Sequence, residues 1–386
     1  MAAKRKKKNS KGVLIVLVLV LVYGIYFVST GKDPLGLLDE TNTPIPAPVY
    51  ETTGGGDWWE VYFADPVYKN DPSQIEGTIA ENLIARIDGA QQSIHVASFE
   101  FDLTPVAEAL IRAHERGVDV RWVTDDEHGI DADEDLDRGQ FEMLEDAGIE
   151  IVDDQRGALM HNKFWIFDGQ TVWTGSTNIT VSGIFNQDNN VIVIDSVELA
   201  AMYEREFEEM WNGEFGPRST STVDQQSLVI DDTPIQVLFS SEDDVIEHIL
   251  PYVQNAQSSI RFYAFSFTHD DLGAAMRERD SAGVDVMGVF EKTGSSTEYS
   301  ELGDMYCSGM KVRRDGNPGF LHHKVIVVDD EIVVTGSLNF SDNANTSNDE
   351  NVIVITNKDI AALYLQEFER LWAQASDPAP DKFECK

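Results

Sequence analysis

Cysteine is almost absent from this chain: Cys307 and Cys385 are the two among 386 residues. At most one bridge is possible. Outside the cytoplasm it would pin the C-terminal tail to the second half of the chain, and otherwise the pair stays as two free thiols. Metal-ligand spacing is missing as well. His95, His114, His128, His248 and His269 stand at no spacing from cysteine or one another that suits zinc, so neither a metal nor another cofactor is expected. Asp131, Asp133, Asp135, Asp137 and Glu142 approach the pattern of a calcium loop, but Leu136 occupies the place that needs glycine; a solvated acidic loop is the reading there.

Positive charge is scarce beyond the N-terminus. Residues 1–30 hold six of the 29 basic residues and none of the 68 acidic ones, which leaves 23 against 68 and a net of −45 for the remainder. Such a surface repels polyanions and argues against nucleic-acid binding through a broad basic face. Adaptation to salt or a general aid to solubility explains the acidity equally well.

Long apolar runs occur once. Lys4, Arg5, Lys6, Lys7, Lys8 and Lys11 precede GVLIVLVLVLVYGIYFV at 12–28, an uncharged stretch of bilayer-spanning length. Residues 1–11 read as a cytoplasmic basic segment and 12–30 as a single transmembrane anchor, with everything after Ser29 outside the cytoplasm. A cleaved signal peptide is the competing reading, though no small-x-small site follows cleanly. Residues 31–57, rich in Pro, Gly, Thr and acids, read as a flexible spacer.

From Trp58 the pattern is α/β. Strand candidates WEVYF (59–63), SIHVASFEF (93–101) and VDVRWV (118–123) alternate with amphipathic segments, one carrying Ile79, Leu83, Ile84 and Ile87, the next opened by Thr104 and Pro105 and closed by Gly117. The order implies parallel crossovers. It then returns: PIQVLF (234–239), a helix around Val245, Ile246, Ile249 and Leu250, SIRFYAFSF (259–267), a helix from Asp270, and VDVMGVF (284–290). Ala-Gln and Gly-Val-Asp-Val recur at an offset of 166, and Tyr203, Phe207 and Trp211 recur as Tyr364, Phe368 and Trp372 at an offset of 161. A constant offset at both ends marks a duplicated domain. The expected division is 58–215, a linker at 216–232, 233–375, and a tail at 376–386. The length suits two ordinary domains.

The most informative repeat is HNKFWIFDGQTVWTGSTN at 161–178 against HHKVIVVDDEIVVTGSLN at 322–339. His161, Lys163, Asp168, Gly175, Ser176 and Asn178 align without a gap on His322, Lys324, Asp329, Gly336, Ser337 and Asn339. Six polar or glycine positions at identical spacing cannot be core periodicity. Strand alternation puts each histidine and its lysine on one side, and Asp168-Gly169 or Asp329-Asp330 would turn the strand back toward the Gly-Ser-x-Asn. Each half thus offers an imidazole, an ammonium, a hydroxyl and a carboxamide, a set suited to a phosphodiester. His323 should point away from His322, toward the surface or into packing.

Both stretches resemble the H-x-K-x4-D-x6-G-S-x-N signature of the phospholipase D superfamily, and the resemblance covers residues 58–375. It implies two tandem α/β/α sandwich domains related by a pseudo-twofold, with one active site at their interface and a monomer as the functional unit. It also implies phosphodiester hydrolysis or transfer through a phosphohistidine. His161 would be the nucleophile and His322 the general acid. Lys163, Lys324, Asn178 and Asn339 would hold the phosphate, with Ser176 and Ser337 in support. The signature counts Asp168 and Asp329 in the catalytic set; turn residues bonding local backbone is the preferred alternative. Relatives orient each imidazole by an acidic residue from the opposite half. Here Glu350 would serve His161, whereas the matching residue for His322 is Asn189, with neighbouring Asp188 as a possible substitute. A membrane-anchored phospholipid phosphodiesterase is the resulting expectation, with a nuclease acting on DNA or RNA as the alternative and an inactive scaffold disfavoured by two intact motifs.

Overall fold

The computed structural model describes residues 53–66, 71, 73–136, 138–219, 223, 225–379, 383 and 385. The basic segment, the apolar run at 12–30 and the spacer up to residue 52 lie outside the described residues. Among those described, no helix is long and apolar enough to cross a membrane.

The first half runs β1 (Thr53–Gly55), β2 (Trp59–Phe63), α1 (Ile79–Gly89), β3 (Ser93–Ser98), α2 (Thr104–Glu115), β4 (Asp119–Thr124), α3 (Gln140–Asp146), β5 (Glu150–Asp153), β6 (Lys163–Phe167), β7 (Thr171–Gly175), α4 (Val181–Phe185), β8 (Gln187–Asp188), β9 (Asn190–Asp195) and α5 (Val197–Trp211). The second repeats it with β10 (Ser227–Ile230), β11 (Thr233–Ser240), α6 (Val245–Gln254), β12 (Ser259–Ala264), α7 (Asp270–Ser281), β13 (Asp285–Phe290), α8 (Glu301–Cys307), β14 (Lys311–Arg314), β15 (Phe320–Leu321), β16 (Lys324–Val328), β17 (Ile332–Gly336), α9 (Asp342–Thr346), β18 (Glu350–Thr356) and α10 (Lys358–Gln374).

Each half builds an eight-stranded sheet, in the orders β1-β2-β9-β7-β6-β3-β4-β5 and β10-β11-β18-β17-β16-β12-β13-β14. The expected crossovers are parallel, β3 with β4 and β4 with β5, but β6, β7 and β9 join antiparallel, so the sheets are mixed. Two stretches read as linker are partly strand. Thr53–Gly55 pairs with β2, and Ser227–Ile230 pairs with β11. Both hydrogen-bond to a sheet edge, a long-range gain that Gly-rich or polar local sequence does not display.

Alternating strand residues face two cores. On the outer face of the first sheet, Ile94, Val96, Val120 and Trp122 pack with Leu83 of α1, Leu110 of α2 and Phe141 of α3. On the inner face one core spans both halves, joining Phe164, Ile192, Tyr203 and Phe207 to Val237, Phe239, Tyr263, Tyr364 and Phe368. The exchange is reciprocal. Tyr203 of α5 meets Phe239 of β11 edge-on at 5.2 Å between ring centroids, and Tyr364 of α10 meets Phe63 of β2 at 5.2 Å. The aromatic repeat in α5 and α10 is therefore an interface signature, and residues 50–386 form one compact unit.

Cys307 and Cys385 form a disulfide, with Cα atoms 5.1 Å apart, that ties the tail to α8. In the acidic loop the Asp133 carboxylate accepts from the backbone N–H groups of Gly139, Phe141 and Glu142, so it holds the start of α3.

Candidate active site

Both histidines sit two residues ahead of a strand and are pinned from the opposite half. The His161 N–H donates to the carbonyl of Asp349 (2.9 Å), and the His322 N–H donates to that of Asp188 (2.9 Å). Met160 bridges Asp349, and β15 pairs in parallel with β8, so two short cross-links fix the two segments against each other. The motif glycines permit this. Gly175 and Gly336 have φ of +152° and +148°, and a Cβ there would lie 2.3 Å from the Asn190 carbonyl oxygen or 2.2 Å from that of Asn351. No other residue lets the strand carrying the Ser-x-Asn approach so closely.

The residues behind the imidazoles also cross over. Nδ1 of His161 is 2.6 Å from Oε2 of Glu350, while Nδ1 of His322 is 3.0 Å from Oδ1 of Asn189 and 3.1 Å from the carbonyl of Ser176. All these partners are acceptors, so each Nδ1 carries a proton and each Nε2 is left free for substrate. Asp188 does not stand in for the missing second carboxylate. It pairs with Arg370 (2.5 Å) and accepts from Asn317 (2.7 Å), facing away from His322.

Lys163 and Lys324 are 2% and 1% exposed, and each ammonium donates to the carbonyl of its own histidine, at 2.8 Å and 2.7 Å. Burial lowers Lys163 to about 8 despite Glu350 and Glu100, and lowers Lys324 well below its ordinary value, with Lys163 adding to the effect. Both imidazoles fall well below 6.5, through burial and then the two ammonium charges. Glu350 is raised by burial to about 7, with Lys163 opposing. The charge of each lysine reaches both histidines, so the two half-sites are one electrostatic unit. Glu350 acts on both ammonium groups and Glu100 and Asp125 on Lys163, but each ammonium hydrogen-bonds the carbonyl of its own histidine rather than a carboxylate, which leaves room for an anion.

Two phenylalanines complete the floor. Phe99 stands edge-on to His161 (4.8 Å) under the Lys163 ammonium (5.0 Å), and Phe265 repeats this with His322 (4.9 Å) and Lys324 (5.0 Å). In the sequence they pass for ordinary strand residues, although they recur at the same offset of 166 as their neighbours. His128 belongs to the floor too. It stacks on Phe99 at 4.9 Å, is held by Asp125 (3.0 Å), and has no repeat partner to reveal it because Gly294 occupies the equivalent place.

Several expected site residues take other positions. The Asp168 carboxylate accepts from the backbone N–H groups of Gln91, Gln92 and Ser93, and Asp329 does the same for Gln257, Ser258 and Ser259. They lie just past the ends of β6 and β16 that are far from the histidines, about 23 Å of extended chain away, and anchor the start of β3 and β12. Both are turn residues with positive φ, yet the backbone they bond is 70 or more residues distant, not local. Ser176 and Ser337 are fully buried behind the histidines. The Ser176 hydroxyl donates to Asn189 (2.9 Å), and Ser337 accepts from the Asn351 N–H (2.9 Å) and bonds Glu350, so they orient the histidine partners rather than face substrate. Asn178 lies at the site, donating to Glu100 (3.1 Å), and the buried Oδ1 atoms of Asn178 and Asn339 have no partner. His323 is not at the surface: it is fully buried between Asn190 (2.9 Å) and Glu367 (3.1 Å).

Carboxylates of Asp125, Asp126 and Asp154 come within 4.8 Å of one another, the one group among the described residues that could hold a metal ion. Asp125 and Asp154 are already engaged by the N–H groups of His128, Met160 and Asp126 and by Arg156, and serve as a hydrogen-bonding hub.

Comparison with known families agrees with this arrangement. The family described as "Cardiolipin synthase, PLD-like domain" matches residues 83–211 and 249–372. The chain belongs to the phospholipase D-like family. Mitochondrial cardiolipin hydrolase of Xenopus tropicalis is 36% identical over 141 residues, 36% of this chain and 67% of that protein. The human protein of that name is 33% identical over 132 residues, 34% of this chain and 52% of the relative. The chain thus spans about half to two thirds of the length of these curated relatives. Phosphatidylserine synthase of Haemophilus influenzae Rd KW20 shares the fold, with a TM-score of 0.61 over 78% of this chain and 86% of that one at 14% identity. Both matched ranges of this phospholipase D-like chain contain one complete motif, so the pairing of half-sites occurs within a single polypeptide.

Proposed function

We propose that this protein is a phosphodiesterase that hydrolyses or transfers the phosphodiester of phospholipids through a phosphohistidine. The carrying observation is the crossed pair of imidazoles, each held at Nδ1 from the opposite half, beside two buried ammonium groups bonded to backbone carbonyls.

His161 is the nucleophile. Its Nε2 attacks phosphorus, the bond to the leaving alcohol breaks, and the ring becomes cationic as the P–N bond forms. Glu350 at Nδ1 stabilises that charge. With the anionic substrate bound beside it, His322 carries a second proton, on Nε2; backed by a neutral amide and a carbonyl, it holds that proton less firmly and gives it to the leaving oxygen, and afterwards Nε2 takes a proton from water, which cleaves the adduct. Lys163, Lys324, Asn178 and Asn339 carry the non-bridging oxygens. Two inversions give retention at phosphorus. The chain works as a monomer, and the 12–30 run anchors it beside a membrane with the catalytic part outside the cytoplasm. Support for a lipid comes from the names of the cardiolipin hydrolase relatives and from the acidic surface.

The test is to incubate the full chain in detergent with phosphatidylcholine, cardiolipin and single-stranded DNA, alongside His161→Ala and His322→Ala. Lipid cleavage that falls on the order of 10²–10⁴-fold in either variant is the expected outcome. Cleavage of DNA alone would replace lipid with nucleic acid as the substrate, and no histidine-dependent cleavage of any diester would sink the reading.

A further inference from the structure

A cavity of about 850 Å³ lies next to the His322 half-site in the chain and takes in neither histidine. Its wall begins next to the motif. Asn339 is followed by Phe340, whose carbonyl accepts from the N–H of Thr268 (2.8 Å), and Thr268 and Ser341 on either side of Phe340 both line the cavity. The far wall carries Cys307 and Phe383, so the disulfide-held tail closes it. The volume falls within the range of small-ligand sites.

The lining chemistry selects a class. Ser295 is 5% exposed, and its Oγ has no hydrogen-bond partner, an unusual state for a buried hydroxyl that a ligand would end. Thr268, Thr297 and Asn343 add further donors and acceptors, and Tyr299 adds an exposed ring. Arg314 is the cation of the lining, and its guanidinium already donates to Ser296 (2.6 Å) and to the carbonyl of Lys292. Asp270, Glu298, Asp304 and Asp342 are acceptors that would repel an anion. Hydroxyl-rich and acceptor-rich, with carboxylates outnumbering a single guanidinium whose Nε still lacks a partner, the cavity suits an uncharged polyol. By the roles assigned above, His322 protonates the leaving alcohol, and the cavity wall at Ser341 follows Asn339 of the same half-site by two residues.

We propose that this cavity is a subsite for a hydroxyl-rich, uncharged alcohol, the polyol headgroup of a phospholipid; this rests on the phosphodiesterase reading and names its substrate class. Direct binding tests the subsite independently of catalysis. Saturation-transfer NMR of myo-inositol with the full chain in detergent should show binding, and Thr297→Trp, which fills the cavity from an exposed position, should abolish it. In parallel, Ser295→Val and Thr297→Trp should each raise KM for phosphatidylglycerol about fivefold or more, the loss of one hydrogen bond, while bis(p-nitrophenyl) phosphate and phosphatidylcholine stay within about twofold of wild type, a margin well under that loss. Thermal melts check that both variants fold. If myo-inositol binds the wild type but not Thr297→Trp, in a protein that cleaves no diester, the polyol site stands and the phosphodiesterase is discarded. Failure of myo-inositol to bind the wild type, or an equal change for all three diesters, would overturn the subsite.

Discussion

Behind His322 and behind His161 the same backbone carries different ionisable groups. Asp188, whose carbonyl holds His322, is neutralised by Arg370, which also binds Glu367 at 2.6 Å, and Glu367 in turn meets His323. Asp349, whose carbonyl holds His161, has Glu209 where the repeat would place Arg370, Glu206 in place of Glu367, and Asn162 in place of His323. Arg156 is its cation. Burial raises Glu206 well above its ordinary value, with Glu242, Glu209 and Asp349 adding to it, and Glu242 and Asp349 rise to about 8 and about 7 for the same leading reason. Acidic side chains thus crowd behind His161, where Glu350 also stands, and are pushed toward their neutral forms, whereas behind His322 one arginine bridges two carboxylates. A pseudo-symmetric fold needs such a bias before two identical imidazoles can take different roles.

The bias is broken most severely at the histidines. With bis(p-nitrophenyl) phosphate, whose leaving group needs little protonation, His322→Ala should still release one equivalent of nitrophenol per chain and then stall. His161→Ala should give no burst, with turnover down on the order of 10⁴-fold. Equal bursts from both would show that the roles are not divided. Glu350→Gln is the next largest effect. In the wild type, kcat/KM should rise as Glu350 ionises near 7 and fall as Lys163 loses its proton near 8, both values belonging to the coupled site. The variant should lose about 100-fold in rate and its acidic limb, leaving the alkaline one. A profile that keeps both limbs would remove Glu350 from the chemistry.

Stability separates the two sides as well. Arg370→Leu leaves Glu367 and Asp188 buried without their cation and should cost about 3–5 kcal/mol, read by urea unfolding. The other side responds to pH. Glu206 and Glu242 have folded values above the ordinary 4.5, so between that value and about 8 the native state binds more protons than the unfolded chain. Stability therefore falls as pH rises through that window. Thermal midpoints should be higher near pH 6 than near pH 8, and Glu242→Gln should flatten the slope, whereas Arg370→Leu should not. A midpoint independent of pH in the wild type would show that the cluster is relieved in another way.

How much of this is legible in the sequence follows from what repeats. His161, Lys163, Asn178 and their counterparts, the matching places of Glu350 and Asn189, and the doubled α/β order can all be read because duplication kept their spacing, while the crossing of Glu350 and Asn189 comes from the family resemblance. Phe99 and Phe265 repeat just as regularly but look like core, since their ring faces serve the ammonium groups only once the halves meet. The charge bias is hidden for the reverse reason. Glu209 and Arg370 sit on helices that read as ordinary amphipathic segments, and their burial, 6% and 9% exposed, comes from the opposite half. Strands β1 and β10 escape the sequence because edge pairing does not depend on their own composition.

Asp168 and Asp329 give the smallest effect and the clearest check on reading a motif as a list of catalytic parts. Both carboxylates collect three backbone N–H groups at the start of a parallel strand. For Asp329, burial works to raise the pKa, but the N–H groups of Gln257, Ser258 and Ser259 outweigh it and hold the group below its ordinary value. A carboxylate lowered this way stabilises the fold above its unfolded pKa and loses that contribution as pH falls through the folded one. Asp168→Ala and Asp329→Ala should each cost about 1–3 kcal/mol at neutral pH, less where water replaces the lost acceptor. Because two repeats carry the same anchor more than one strand length from the histidines, the two costs should be alike and nearly additive. Cleavage of bis(p-nitrophenyl) phosphate should remain within about threefold of wild type in both, since only the far end of the strand is disturbed. A loss above about 100-fold, the scale of a proton-transfer group, would return these aspartates to the catalytic set.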